Sequence, residues 1–117
     1  TIFNNIDLYR NFSKEKVLDT MENLAIDNLD YGKVVDNESG LSGGQKSRIC
    51  LSRAVMKLPK VLIVDEPVAS LDDKSSYQVM EYLTSLPTTV IVISHHVSDK
   101  IILMFDDVIN LKRELKA

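Results

Sequence analysis

Apolar residues recur at helical intervals in the first part of the chain and gather into short unbroken runs in the second. Over residues 14–25, Val17, Leu18, Met21, Leu24 and Ala25 share one helical face, with Ser13 placed as N-cap. Residues 29–40, rich in Asp, Asn and Gly, read as a loop. A second helix is predicted over 42–58, with Cys50, Leu51, Ala54, Val55 and Leu58 on its apolar face and Lys46, Arg53 and Lys57 opposite. That spacing makes Cys50 a buried, inert thiol. Residues 61–64 form an apolar run closed by Asp65-Glu66-Pro67, the pattern of a strand covered on both faces of a parallel sheet. A third helix over 73–86 turns Val79, Met80, Leu83 and Leu86 inward, and 89–93 is a second buried strand. Residues 101–105 predict a third strand, Asp106-Asp107 a turn, 108–110 a short strand and 112–117 a solvated helical end. Strands and helices alternating at these crossover lengths imply βαβ units and an α/β fold.

Composition narrows the class. With 44% hydrophobic and 26% charged residues, the chain is neither disordered nor fibrous, and its 117 residues leave room for one domain. Fourteen basic against seventeen acidic residues give a charge of −3, which argues against a nucleic-acid partner drawn in by bulk electrostatics. The longest apolar runs are too short to cross a bilayer, so no membrane segment is expected in this chain. The single cysteine excludes an intramolecular disulfide and fits a reducing compartment. The chain begins with Thr1 and an apolar turn in place of a targeting signal, so residues upstream are expected to be missing.

Three places carry candidate chemistry. In Leu41-Ser42-Gly43-Gly44-Gln45, Ser42 and Gln45 are spaced as a capping box. Capping does not call for Gly43 and Gly44, each of which costs about 1 kcal/mol against alanine in a helix. Bare glycine amides beside a serine hydroxyl at a helix N-terminus form an anion site, so capping and phosphate binding both remain open. The neighbouring Gly40–Ser47 stretch nearly matches a phosphate loop but has Gln45 where the second glycine belongs, and no buried strand precedes it. In the second place, Asp65 and Glu66 close a buried strand at the carboxyl edge of the sheet, where α/β proteins bind ligands. One could hold Mg²⁺ through water and the other orient an attacking water; a plain polar turn fixed by Pro67 is the alternative. Third, His95 follows a strand and Ser94, either as a surface loop histidine or as a hydrogen-bond donor to phosphate. Paired metal ligation by His95 and His96 is disfavoured, because adjacent extended residues point apart.

Taken in order, these motifs resemble the C-terminal half of the nucleotide-binding domain of ATP-binding cassette (ABC) transporters, of the exporter type. Leu41, Ser42, Gly43, Gly44 and Gln45 match that family's signature sequence, and residues 61–66 resemble its Walker B strand. Ala69-Ser70-Leu71-Asp72 is similar to its D-loop, and His95 falls where its switch histidine belongs. Residues 1–6 resemble the segment after the Q-loop of exporters, and Asp30-Tyr31-Gly32-Lys33-Val34-Val35 a shortened pre-signature loop. The departures are the absence of a Walker A loop, of an aromatic base-stacking residue and of a Q-loop glutamine. Val68-Ala69 and Ser94-His95-His96 stand where Thr-Ser and Thr-His-Arg are usual.

The resemblance implies part of a P-loop NTPase-like parallel sheet flanked by helices. Residues 1–58 would form a helical subdomain carrying the signature, and 59–117 the C-terminal part of the ATPase core. It also implies Glu66 as catalytic base, His95 as its catalytic partner and Asp65 as the Mg²⁺-side carboxylate. Leu41–Gln45 would contact ATP held by a second nucleotide-binding domain packed head to tail. With ATP and Mg²⁺, the intact protein would drive solute export at the cytoplasmic face of a membrane through a transmembrane domain. The chain alone, lacking Walker A, is expected to be inactive. Its stripped strands would favour self-association. Two alternatives stand beside this: a non-catalytic interaction module, and a cassette ATPase outside transport.

Overall fold

The computed structural model describes residues 1, 2, 6, 12–26, 40–95 and 97–111. The loop over 29–39, the pre-signature segment 30–35, His96, residues 3–5 and the tail 112–117 lie outside the described residues. Ser13 opens helix α1 (Lys14–Asn23) by accepting the Lys16 N–H at 3.1 Å. Val17, Thr20 and Met21 are buried, while Leu18 stands 36% exposed at the edge of the predicted face. Ala25, at φ 57°, ends the helix in the left-handed region, and the Ile26 N–H returns to the Met21 carbonyl at 2.9 Å.

Helix α2 (Gly43–Met56) crosses to α1, where the Thr20 hydroxyl meets the Lys16 carbonyl at 2.9 Å and Met56 Sδ at 3.1 Å. Strand β1 (Val61–Asp65), helix α3 (Asp73–Ser85) and strand β2 (Thr89–Ile93) follow. The two strands pair in parallel from Val61↔Thr89 to Asp65↔Ile93, so the α/β reading of the sequence holds. The ladder is extended by Thr89 N–H to the Lys60 carbonyl and Glu66 N–H to the Ile93 carbonyl; the Thr88 hydroxyl also donates to the Pro59 carbonyl. Helix α1 touches both α2 and α3, with Gln78 Nε2 donating to the Glu22 carbonyl at 3.0 Å. Val17, Met21 and Leu24 share one apolar cluster with Val55, Leu62, Val79, Met80 and Leu83.

Four expectations need correction. The apolar face of α2 is rotated from the one predicted: Arg48, Ile49, Leu51, Ser52, Val55 and Met56 are buried, whereas Cys50 is exposed and Leu58 is 57% exposed. A stripe counted from apolar residues alone misses buried Arg48 and Ser52, whose hydroxyl caps the Arg48 carbonyl at 2.9 Å. The strands are covered on one face only: Leu62 and Val64 are buried, but Val61 is 53% and Ile63 66% exposed. Residues 101–105 are not a strand. Helix α4 (Asp99–Ile102) forms there, started by the Ser98 carbonyl accepting from Ile101 and Ile102, because a five-residue apolar run carries no period that separates strand from helix. Residues 108–110 pair with no strand among the described residues, and Asp107 Oδ1 takes the Val108 N–H at 2.9 Å, as turn chemistry does.

Leu83 is fully buried on the inner face of α3, so Leu83→Ala should cost the protein about 2–5 kcal/mol of stability. Leu18→Ala, at the exposed margin of α1, should cost less than about 1 kcal/mol. Urea unfolding of the two variants beside the parent protein measures both.

Candidate functional site

Buried Leu41 anchors the entry to α2, and Ser42 adopts extended backbone at φ −68° and ψ 161°. The capping box is complete: Gln45 N–H donates to Ser42 Oγ at 3.0 Å, and Ser42 N–H to Gln45 Oε1 at 2.8 Å. The first intrahelical bond runs from Lys46 N–H to the Ser42 carbonyl. The amides of Gly43 and Gly44 therefore lie outside the helical ladder, at the positive end of a fourteen-residue helix.

The two glycines differ. A Cβ on exposed Gly43 would meet nothing within 4 Å, so the backbone there is not packed against any neighbour on that side. At buried Gly44 a Cβ would lie 2.6 Å from the Ala69 carbonyl oxygen, so the helix and the turn after β1 meet backbone to backbone. Arg48, one helical turn further on, reaches back and donates from Nη1 to the same carbonyl at 3.0 Å. The guanidinium is buried, which pushes its pKa down from the ordinary value, and Nε has no hydrogen-bond partner. Arg48 was missed in the sequence. Its position four residues after Gly44 is the signal that places it over that glycine.

The turn after β1 brings the second set of residues to the same end of the sheet. Glu66 takes a left-handed φ of 49° and Ser70 one of 65°, and Ala69 N–H closes back on the Glu66 carbonyl at 3.3 Å. Left-handed backbone costs a residue with a Cβ roughly 1–2 kcal/mol, so the surrounding contacts hold it there. With its backbone turned this way, Glu66 sends its carboxylate to the end of β2. Oε1 accepts the His95 N–H at 2.8 Å, and Oε2 lies 3.4 Å from the Ser94 hydroxyl. His95 Nε2 stands 3.7 Å from Oε1, with the imidazole 80% exposed and free to meet a ligand from solvent. Asp65, at the last position of β1, is exposed on the same face as Val61 and Ile63, while the Glu66 carboxylate turns to the end of β2. A lone exposed carboxylate at a strand end is the donor type Mg²⁺ takes when phosphates and water fill its other positions.

Beyond the turn, Leu71 N–H bonds the Val68 carbonyl at 3.1 Å, and Asp72 caps α3 by accepting the Ser75 N–H at 3.0 Å. Hydrogen bonding from Ser75, aided by Lys74, holds the Asp72 carboxyl below its usual range. The structure thus joins Glu66 with His95, and Gly44 with Ala69, through one five-residue turn. Asp72 is engaged as a cap.

The family model described as "ABC transporter" matches residues 1–69. An ATP-dependent lipid A-core flippase of Francisella tularensis is 38% identical across 89% of this chain, which spans 20% of the flippase. A phosphonates import ATP-binding protein of Treponema denticola is 40% identical over 67% of the chain, and 29% of that protein is covered. Among solved structures, a bacterial Atm1-family ABC exporter with ATP bound superposes with a TM-score of 0.64 at 27% identity. That match covers 81% of this chain and 18% of the exporter. The chain therefore spans less than a third of each of these proteins.

Because the folded-state acidity of Asp72 is depressed, its contribution to stability is present above the unfolded carboxyl pKa of about 4 and fades as pH falls toward the folded value. Asp72→Asn, which keeps a capping oxygen without the charge, should flatten this acid limb. Unfolding midpoints across a pH series report it.

Proposed function

Since the chain belongs to the ABC transporter family, we propose that it supplies the signature, Walker B, D-loop and switch-histidine portion of an exporter-type ATP-binding domain. The observation that carries this reading is the Glu66 carboxylate held against the backbone of His95 at the carboxyl end of β1 and β2, beside a capped helix N-terminus whose Gly43 is exposed. The wider coverage by the lipid A-core flippase than by the import protein supports export as the direction of transport.

In this reading residues 1–58 form a helical part and 59–117 the C-terminal part of the catalytic core. Glu66 is the general base. Its fixed carboxylate accepts the proton of a water attacking the γ-phosphate in line, while the bond to the β-phosphate oxygen breaks and ADP leaves. His95, exposed beside Glu66, donates a hydrogen bond to the γ-phosphate. Asp65 is the residue that would hold Mg²⁺, through water, and the ion would supply positive charge to neutralise the phosphates. Ser42, Gly43, Gly44 and Gln45, with Leu41 as anchor, present their hydroxyl and amides to ATP bound by a second nucleotide-binding domain. Ser70, Leu71 and Asp72 face that same partner. A transmembrane domain completes the assembly at the cytoplasmic face of a membrane. No helix among the described residues is long and apolar enough to cross one.

Residues 1–117 alone are proposed to be inactive, because the sequence holds no loop to grip the β-phosphate. The open sheet face of Val61, Ile63, Ile91 and Ile93 would then be covered by a second copy.

In the full-length protein, Glu66→Gln should leave ATP binding intact and remove turnover by several orders of magnitude. Undiminished phosphate release would sink the role of Glu66. Purified residues 1–117 should release no phosphate from Mg²⁺-ATP and should scatter light as an oligomer; steady turnover or a uniform monomer would contradict the corresponding proposal.

A further inference from the structure

Arg48 is a buried cation with an odd set of partners. One nitrogen, Nη1, donates to the Ala69 carbonyl at 3.0 Å, while Nε is buried without a partner. A methionine would fill the same space at a lower desolvation cost, so bulk stability is a poor account of a guanidinium there. What the guanidinium provides, and an apolar side chain would not, is a fixed donor to one carbonyl. That carbonyl belongs to the turn that begins at Glu66 and is pressed against Gly44.

We propose that Arg48 is a positioning residue that locks the Glu66–Ser70 turn onto the first turn of α2, so that the Glu66 carboxylate and the Ser42–Gly44 amides are held as one body. The inference rests on the functional reading above. There, Glu66 serves the ATP of its own domain and the α2 amides serve the ATP of the partner. Arg48 touches neither nucleotide. It joins the residue that acts on one to the residues that act on the other.

The lock needs both sides. From α2, Gly44 must lack a Cβ for the Ala69 carbonyl to come within reach. From the turn, Ser70 must hold its left-handed φ of 65° for that carbonyl to point at the helix. Arg48 spans the remaining gap from one helical turn away.

The test uses the full-length protein with Arg48→Gln, which removes the guanidinium, and Arg48→Lys, which keeps a cationic donor. Spin labels on cysteines introduced at the exposed positions 46 and 74, with Cys50 and any other native cysteine replaced, report how α2 sits against the start of α3. The parent should give one narrow distance, Arg48→Gln a broadened or shifted one, and Arg48→Lys a return toward the parent. An unchanged distance in a folded Arg48→Gln protein overturns the inference whatever the enzymology shows. In ATP turnover, Arg48→Gln should lower kcat on the order of tenfold or more, with KM for ATP within about threefold, and Arg48→Lys should recover part of kcat. A loss in KM alone, or equal loss in both variants, would also overturn it. If Arg48→Gln does not fold, Gly44→Ala, which pushes the turn away from the other side, must reproduce the broadening. Glu66→Gln run in parallel separates the two ideas: active Glu66→Gln defeats the functional reading, while unaltered Arg48→Gln defeats only this one.

Discussion

The close approach of the α2 N-terminus to the Ala69 carbonyl governs the arrangement of everything near it. Two backbones can come this near only where one lacks a Cβ, and Gly44 meets that requirement. The turn that makes this contact has both of its end residues, Glu66 and Ser70, in left-handed backbone. The direction of the Glu66 carboxylate follows from that backbone, and so does its bond to His95. A helix cap, a strand end and a loop histidine, remote in sequence, thus meet around one short turn.

The contact is supported from behind. Helix α1 lies against α2 and α3, and Val17, Leu24, Val79, Met80 and Leu83 are fully buried in the core behind the site. Thr20 is buried in this layer without a penalty, because its hydroxyl is satisfied by the Lys16 carbonyl and Met56 sulfur. The site is built from loop ends, but the elements behind those ends are packed.

Much of this was legible in the sequence, for physical reasons that can be named. Ser13 and the Ser42–Gln45 box act through local geometry, so spacing alone located them, and Val79, Met80 and Leu83 obey a period that a thirteen-residue helix displays in full. Glu66 and His95 could be placed at one edge because strand ends in a parallel pair share an edge. What could not be read was long-range or hidden by chemistry. The bond from Arg48 to Ala69 crosses twenty-one positions, and a buried arginine looks polar to any apolar count. The same blindness turned the α2 stripe toward Cys50. Residues 101–105 offered too few positions for a period, so the choice between helix and strand fell to the local bonds of Ser98.

The uncovered side of the sheet has a consequence for how the polypeptide folds. β1 and β2 are apolar on both sides, yet within the described residues only Leu62 and Val64 find a buried place, and Ile63 and Ile91 remain in water. Sequence-distant pairing of this kind raises contact order and slows folding. With one apolar side still wetted, the two strands realise only part of the free energy their residues could yield, so their pairing should consolidate late in folding. Until then Ile63 and Ile91 present an apolar surface on which unwanted contacts can form.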